Sequence, residues 1–133
     1  MIRAGIVGGG FMGATHAHAI RAAGGVVAGV ASSSRASATR AADRLGAARA
    51  FDSLDALLAD ETIDVVHVCS PNGDHVAHAL AVIAAGRHVV CEKPLATSLR
   101  DAVRMRDAAA DAGVIATVPV SYTHLTLPTI YSV

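Results

Sequence analysis

Tryptophan is absent from this 133-residue chain, phenylalanine occurs twice, and both tyrosines, Tyr122 and Tyr131, fall in the last fourteen residues. Much of the 53% hydrophobic content is therefore alanine and other small aliphatic residues. A core of that kind suits helices packed closely on a sheet better than a thick aromatic sandwich. Cysteine is scarce as well. Cys69 and Cys91 make no disulfide framework and have no metal-ligand spacing, so a reduced, cytoplasmic setting and no metal site are expected. Neither sign of charge dominates: 11 basic and 11 acidic residues cancel to a net charge of zero. That balance removes the electrostatic case for nucleic acid or an anionic membrane as partner. Apolar runs are broken by Gly, His or charge well short of a membrane span. No basic segment precedes a long apolar stretch at the start, so a signal peptide is not expected.

Strands and helices alternate along what remains, at a length suited to one domain. "IRAGIVG", "VVAGVA", "RAF", "DVVHVCS", "HVVCE" and "VIATV" read as strands. Between them, "FMGATHAHAIRAAG" and "RASATRAADRLG" read as helices closed by glycine. "LDALLAD" reads as a short helix opened by Ser53 and Asp55, and Asn72 as the N-cap of "GDHVAHALAVIAAG". Ser98 and Asp101 have the Ser-x-x-Asp spacing of a capped start for "LRDAVRMRDAAADAG". Strands this apolar are covered on both faces, which means a parallel sheet with crossover helices. The expected fold is a single α/β domain with a doubly wound parallel sheet, the Rossmann fold.

The chemistry begins at "GIVGGGFMGATH". Gly8, Gly10 and Gly13 have the G-x-G-x-x-G spacing between the first strand and the first helix. Gly8 permits a tight turn, Gly10 lets the backbone approach a pyrophosphate, and Gly13 lets helix and strand pack closely. The free N–H groups of Phe11 and Met12 then face the anion, aided by the helix dipole. A glycine turn that merely packs well, or a methyltransferase-type loop, is the competing reading of these glycines alone. The strand–turn–helix context favours the dinucleotide.

The second strand of such a site ends in the residue that reads the adenosine ribose, usually Asp or Glu where NAD is bound. Here the chain offers Ser32, Ser33, Ser34 and Arg35. No carboxylate stands there to repel a 2′-phosphate, and three hydroxyls with a guanidinium, and Arg40 further on, are suited to receive one. The reading is NAD(P), leaning to NADP. The plain alternative is that the serines cap the next helix and Arg35 is solvated.

Two further segments fall at strand carboxyl ends, where open α/β sheets bind ligands. In "CSPNGDH", Ser70 and Pro71 end the strand, Asn72 caps, and His75 in the first helical turn would face the crevice. A surface histidine on a capped helix is an equal alternative. In "CEKPLA", Lys93 is the only lysine of the chain; the other ten basic residues are Arg. Lysine is the one of the two cations that can lose a proton or act as a compact donor, although a lone surface lysine is also common. Glu92 and Lys93 point to opposite sides of an extended segment, so that one can face the crevice while the other anchors inward. Cys91 reads as a buried strand residue, not a nucleophile.

Together these motifs make the chain resemble the N-terminal domain of the Gfo/Idh/MocA oxidoreductases over essentially Met1 to Val118. "GIVGGGFMGATHAHAI", the "SPNGDHVAHALAVIAAGRHVVCEKPLA" block and the "AGV" before the last strand carry the likeness. The resemblance implies NAD(P) bound across the sheet's carboxyl edge and hydride transfer at a hydroxyl-bearing carbon of a sugar or cyclitol. It implies Lys93 beside the nicotinamide and the reacting hydroxyl, with Pro71, Asn72, His75, Glu92 and the adjoining Pro94 at the nicotinamide end. It further implies a second, α+β domain with the substrate pocket, an acid–base pair and most of the subunit interface. That domain has no counterpart in this sequence, so binding without turnover is expected. A free-standing dinucleotide-binding or sensor module is the alternative. Ser32 departs from the acidic residue of many members.

The composition changes after Pro119. Residues 120–133 contain no Ala, no Gly and no charge. "VSYTHLTLPT" resembles the translation of a transposon-type sequencing adapter. The expected division is therefore a dinucleotide-binding domain over 1–119 and a non-native tail over 120–133, with a genuine C-terminal strand and arm as the alternative.

Overall fold

A computed structural model describes residues 1–119 of the chain; the expectation about residues 120–133 lies outside them. Six parallel strands form one sheet: β1 (Arg3–Val7), β2 (Val26–Ala31), β3 (Ala50–Phe51), β4 (Val65–Val68), β5 (His88–Cys91) and β6 (Ala116–Thr117). Their order across the sheet is β3-β2-β1-β4-β5-β6. The helices are α1 (Phe11–Ala22), α2 (Arg35–Leu45), α3 (Leu54–Leu58), α4 (His75–Ala84) and α5 (Leu99–Ala112). The doubly wound fold expected from the alternation of elements is the fold found.

β1 is buried from Ala4 to Val7, and β2 from Val27 to Ala31, because helices cover both faces. On one face Ala17 and Ile20 of α1 and Ala41, Ala42 and Leu45 of α2 pack on Ala4, Ile6, Val27 and Val30. On the other, Leu57 of α3, Val82 and Ile83 of α4 and Met105 of α5 pack on Val7, Val66, Val68 and Val89. Alanine at the helix contacts lets the backbones approach the sheet, which is how a chain so poor in aromatics closes a core.

Local signals set the helix ends. Ser34, Ser53 and Ser98 accept backbone N–H bonds from Ser37 (3.2 Å), Ala56 (3.1 Å) and Asp101 (3.1 Å), each satisfying an orphan donor. Gly46 and Gly113 close α2 and α5 in the left-handed conformation. Two expectations need correction. Asn72 is not the N-cap of α4: it opens a single 3-10 turn, Asn72–Asp74, that carries the chain off β4 before the helix begins. The extended backbone at Pro71 delays the α-helix by a turn. The last strand is two residues long, shorter than "VIATV", and lies exposed at the sheet edge.

Candidate functional site

β1 lies centrally, and the chain winds from it to β2 on one side and from β4 to β5 on the other. The strand order reverses between β1 and β4, and sheets of this kind bind ligands outside the carboxyl ends of the strands at that point. Because all six strands are parallel, the segments after β1, β2, β4 and β5 meet at that one rim.

The glycine turn forms its floor. Gly8 has φ +97°, and a Cβ on it would lie 2.4 Å from the Cys69 carbonyl oxygen. Its N–H donates to Ala31 O at 3.0 Å, which ties the turn to β2. A Cβ on Gly13 would lie 2.3 Å from Gly8 O, so α1 can start this close to the strand only with glycine there. Gly10 differs from both. It is exposed, and no atom lies within 4 Å of the position its Cβ would take. Nothing in the protein needs glycine at residue 10; the bare surface is open to a ligand. The first intrahelical bond of α1 runs from Ala14 N–H to Gly10 O at 3.1 Å, leaving the Phe11, Met12 and Gly13 amides at the open helix end. No side chain caps that end and no acidic residue stands in its first turn. The donors and the helix dipole therefore offer an anion an uncontested place.

Sequence reasoning passed over the residues that hold this turn. A Cβ on Gly9 would lie 2.4 Å from Ala41 Cβ of α2, and the Arg44 guanidinium donates to the Gly9 carbonyl. The middle glycine of the Gly8, Gly9 and Gly10 run, which the G-x-G-x-x-G spacing does not require, was the available signal.

At the end of β2, Ser34 caps α2 and Ser32 Oγ lies 2.8 Å from Ser37 Oγ. Their hydroxyls are engaged within the protein, as the plain alternative held for Ser34. Ser33, Arg35 and Arg40 are exposed.

After β4, Ser70 Oγ pairs with His78 Nδ1 at 2.8 Å, while Pro71 and Asn72 are exposed at the rim. His75 does not face the crevice. It is 1% exposed, with Nδ1 2.8 Å from Pro94 O and Nε2 2.9 Å from Ser70 O. Both ring nitrogens are occupied by carbonyls, so the expected ligand contact is corrected to a strut between the β4 and β5 loops.

After β5, the two neighbours in E-K-P separate as extended geometry requires. Lys93 is exposed, followed by Pro94 across a cis peptide bond. Glu92 turns inward and is 5% exposed, which corrects its expected place among groups touching a ligand. Its Oε1 meets His16 Nε2 at 2.9 Å and its Oε2 accepts the Lys93 N–H at 3.0 Å. His16 Nδ1 in turn meets His67 Nδ1 at 2.8 Å. Burial, and then the neighbouring His16, lower His67 to about 4. Burial first, and Glu92 next, push Cys69 up to about 12 and Cys91 up to about 11, so both stay protonated thiols. Among the described residues no group of His, Cys, Asp or Glu could hold a metal ion, and no helix is long and apolar enough to cross a membrane.

The sequence matches the family described as "Oxidoreductase family, NAD-binding Rossmann fold" (GFO_IDH_MocA) over residues 2–120. It is 39% identical over 96 residues to D-xylose 1-dehydrogenase (NADP(+)) 2 of Haloferax volcanii, covering 72% of this chain and 30% of that protein. The crystal structure of an NAD binding oxidoreductase from Klebsiella pneumoniae superposes with a TM-score of 0.86 at 40% identity, over 89% of this chain and 34% of the other. Levoglucosan dehydrogenase in complex with NADH and levoglucosan superposes with a TM-score of 0.82 at 32% identity, over 88% and 34%. The chain thus spans about a third of the length of the proteins it matches.

Proposed function

The chain belongs to the Gfo/Idh/MocA oxidoreductase family, and on that footing we propose that residues 1–119 are its NAD(P)-binding domain. The pyrophosphate lies on Gly8, Gly10 and Gly13 against the Phe11 and Met12 amides, and the nicotinamide end lies toward Ser70, Pro71, Asn72 and Lys93. The observation that carries the reading is the bare surface of Gly10 at an uncapped, acid-free helix end, placed where the strand order reverses. A side chain at residue 10 would stand over that bare backbone, where glycine leaves room for a diphosphate in van der Waals contact with it.

A bound dinucleotide supplies the acceptor or donor of a hydride at a hydroxyl-bearing carbon of a sugar or cyclitol. The chain's own part is to fix the diphosphate and to hold the Lys93 ammonium near the reacting hydroxyl oxygen, as a donor that steadies developing negative charge. Lys93 stands exposed in this chain. Efficient hydride transfer needs water excluded and a base for the hydroxyl proton, so this chain alone binds dinucleotide without turnover. For the adenosine end we propose NADP preference. No carboxylate closes the end of β2, and the exposed Ser33, Arg35 and Arg40 are free to meet a 2′-phosphate.

Titrating the 133-residue chain with NADH and NADPH, followed by nicotinamide fluorescence, tests the reading. Saturable binding, tighter for NADPH, is expected, with no oxidation of xylose or inositol in the same preparation. Absence of saturable binding overturns the assignment, and steady turnover overturns the division of labour.

A further inference from the structure

Lys93 sits between two tethered residues, and both tethers are histidines reaching from other elements. Pro94 is held through its carbonyl by His75 of α4 at 2.8 Å. Glu92 is held through its carboxylate by His16 of α1 at 2.9 Å, with both side chains buried. The Glu92 carboxylate then folds back to accept the N–H of Lys93 itself. Among the described residues the Lys93 ammonium has no ion-pair partner, so what the protein fixes is the backbone from which its flexible stem springs.

His16 is not an ordinary core residue. It occupies the buried stripe of α1 with Gly13, Ala17 and Ile20, one turn after the glycine turn. An ionised Glu92 offers only acceptors, and Oε2 is already engaged by an N–H. The contact at Oε1 is a hydrogen bond only if His16 carries a proton on Nε2. Nδ1 is left to His67, whose ring stands edge-on to His16 at 89° with 5.1 Å between centroids. A buried carboxylate satisfied on both oxygens is a directional tether, because losing either partner leaves a charge without compensation.

We propose that His16 is a positioning residue for Lys93: through Glu92 it fixes the Lys93 backbone relative to the helix that opens at the glycine turn. The inference rests on the reading of Lys93 as the residue at the nicotinamide end. One element would then carry both the floor for the diphosphate and the anchor for the lysine, which sets the distance between the two ends of the bound cofactor. The tether works at the level of backbone placement and touches no reacting atom.

The sole lysine makes the test clean. A chain labelled with [15N]lysine gives one backbone amide signal, that of Lys93, and [15N]histidine reports which ring nitrogen of His16 is protonated. In the unliganded wild type the expected results are a proton on His16 Nε2 and strong protection of the Lys93 amide. His16→Leu, measured where it is folded by circular dichroism, should speed exchange of that amide at least tenfold. His16→Gln, whose terminal amide can still donate to Glu92, should restore most of the protection. With cofactor, His16→Leu should bind ADP-ribose as the wild type does and lose the extra affinity of NADH over ADP-ribose; a merely structural role would lower melting temperature and leave that difference intact. A His16 ring unprotonated at Nε2 in the wild type, or an unchanged Lys93 amide in folded His16→Leu, overturns the proposal. Failure of the wild type to bind either nucleotide overturns the cofactor assignment instead, and the unliganded measurements still decide the tether.

Discussion

Replacing Gly10 with alanine separates binding from folding. The backbone at residue 10 has φ −76° and ψ −156°, which any residue adopts, and its Cβ would enter open space. Residue 10 is the N-cap of α1 and makes no side-chain cap bond, so the cost of Gly10→Ala is that of a poorer cap, about 1 kcal/mol at most. For a domain of this size that is a fall of roughly 3–5 °C in melting temperature. The new methyl group would occupy the place where a diphosphate approaches the Phe11 and Met12 amides. Displacing the anion from one charge-assisted hydrogen bond costs about 1.5–3 kcal/mol, which is roughly a ten- to hundredfold weaker dissociation constant for NADH. The neighbouring glycines should behave in the opposite way. Gly8→Ala places a Cβ 2.4 Å from a backbone carbonyl at a positive φ, and Gly13→Ala one at 2.3 Å from Gly8 O; both should lose stability before binding can be measured. Thermal melts and nicotinamide fluorescence on the three variants suffice. A folded Gly10→Ala chain that binds NADH as tightly as the wild type refutes the placement of the diphosphate.

Four other perturbations have definite outcomes. Ser32→Asp puts a carboxylate at the end of β2, and should weaken NADPH binding more than tenfold relative to NADH by repulsion of the 2′-phosphate, read by competitive titration. A neutral His75 ring donates to one of the two carbonyls it touches, so His75→Phe leaves that carbonyl without its partner and should cost about 1–3 kcal/mol in urea unfolding. His67 is lowered from 6.5 to about 4 in the folded state, so the unfolded chain takes up the proton first. The stability it contributes is complete above pH 6.5 and is lost as pH falls towards 4, by up to about 3 kcal/mol; unfolding curves of wild type and His67→Gln should converge across that window. Cys69 and Cys91 hold their protons from the ordinary 9.0 up to about 12 and about 11, so stability should fall as pH rises above 9. At pH 8 a disulfide reagent should label neither thiol until urea is added.

What could be read from the sequence depended on how local its cause was. The glycine turn, the serine caps of α2, α3 and α5 and the glycine stops of α2 and α5 are decided within a few residues, and the text of the chain carries them. The opposite facing of Glu92 and Lys93 follows from extended backbone, but which of the two turns inward depends on His16, 76 positions away. His75 was placed in the right helical turn with the wrong surroundings. The carbonyls that saturate it come from Ser70 and Pro94, and the delay introduced by the 3-10 turn after Pro71 rotates the ring away from the crevice. His16 was overlooked, although a polar residue on a stripe otherwise made of Gly, Ala and Ile was visible in "GATHAHAI". The contact of Arg44 with the Gly9 carbonyl depends on how α2 lies across the turn, which no residue spacing specifies.

The seating of Ala41 against Gly9 bears on how such a domain changes its cofactor over evolutionary time. The helix that follows the Ser32, Ser33 and Ser34 loop is wedged onto the glycine turn, with no space for a larger residue at the joint. On the proposed reading, substitutions in the loop before that helix would change how a 2′-phosphate is received while the glycine turn stays in register. Enlargement at residue 41 would pry the two apart, so the route to a new preference runs through the loop and bypasses the joint.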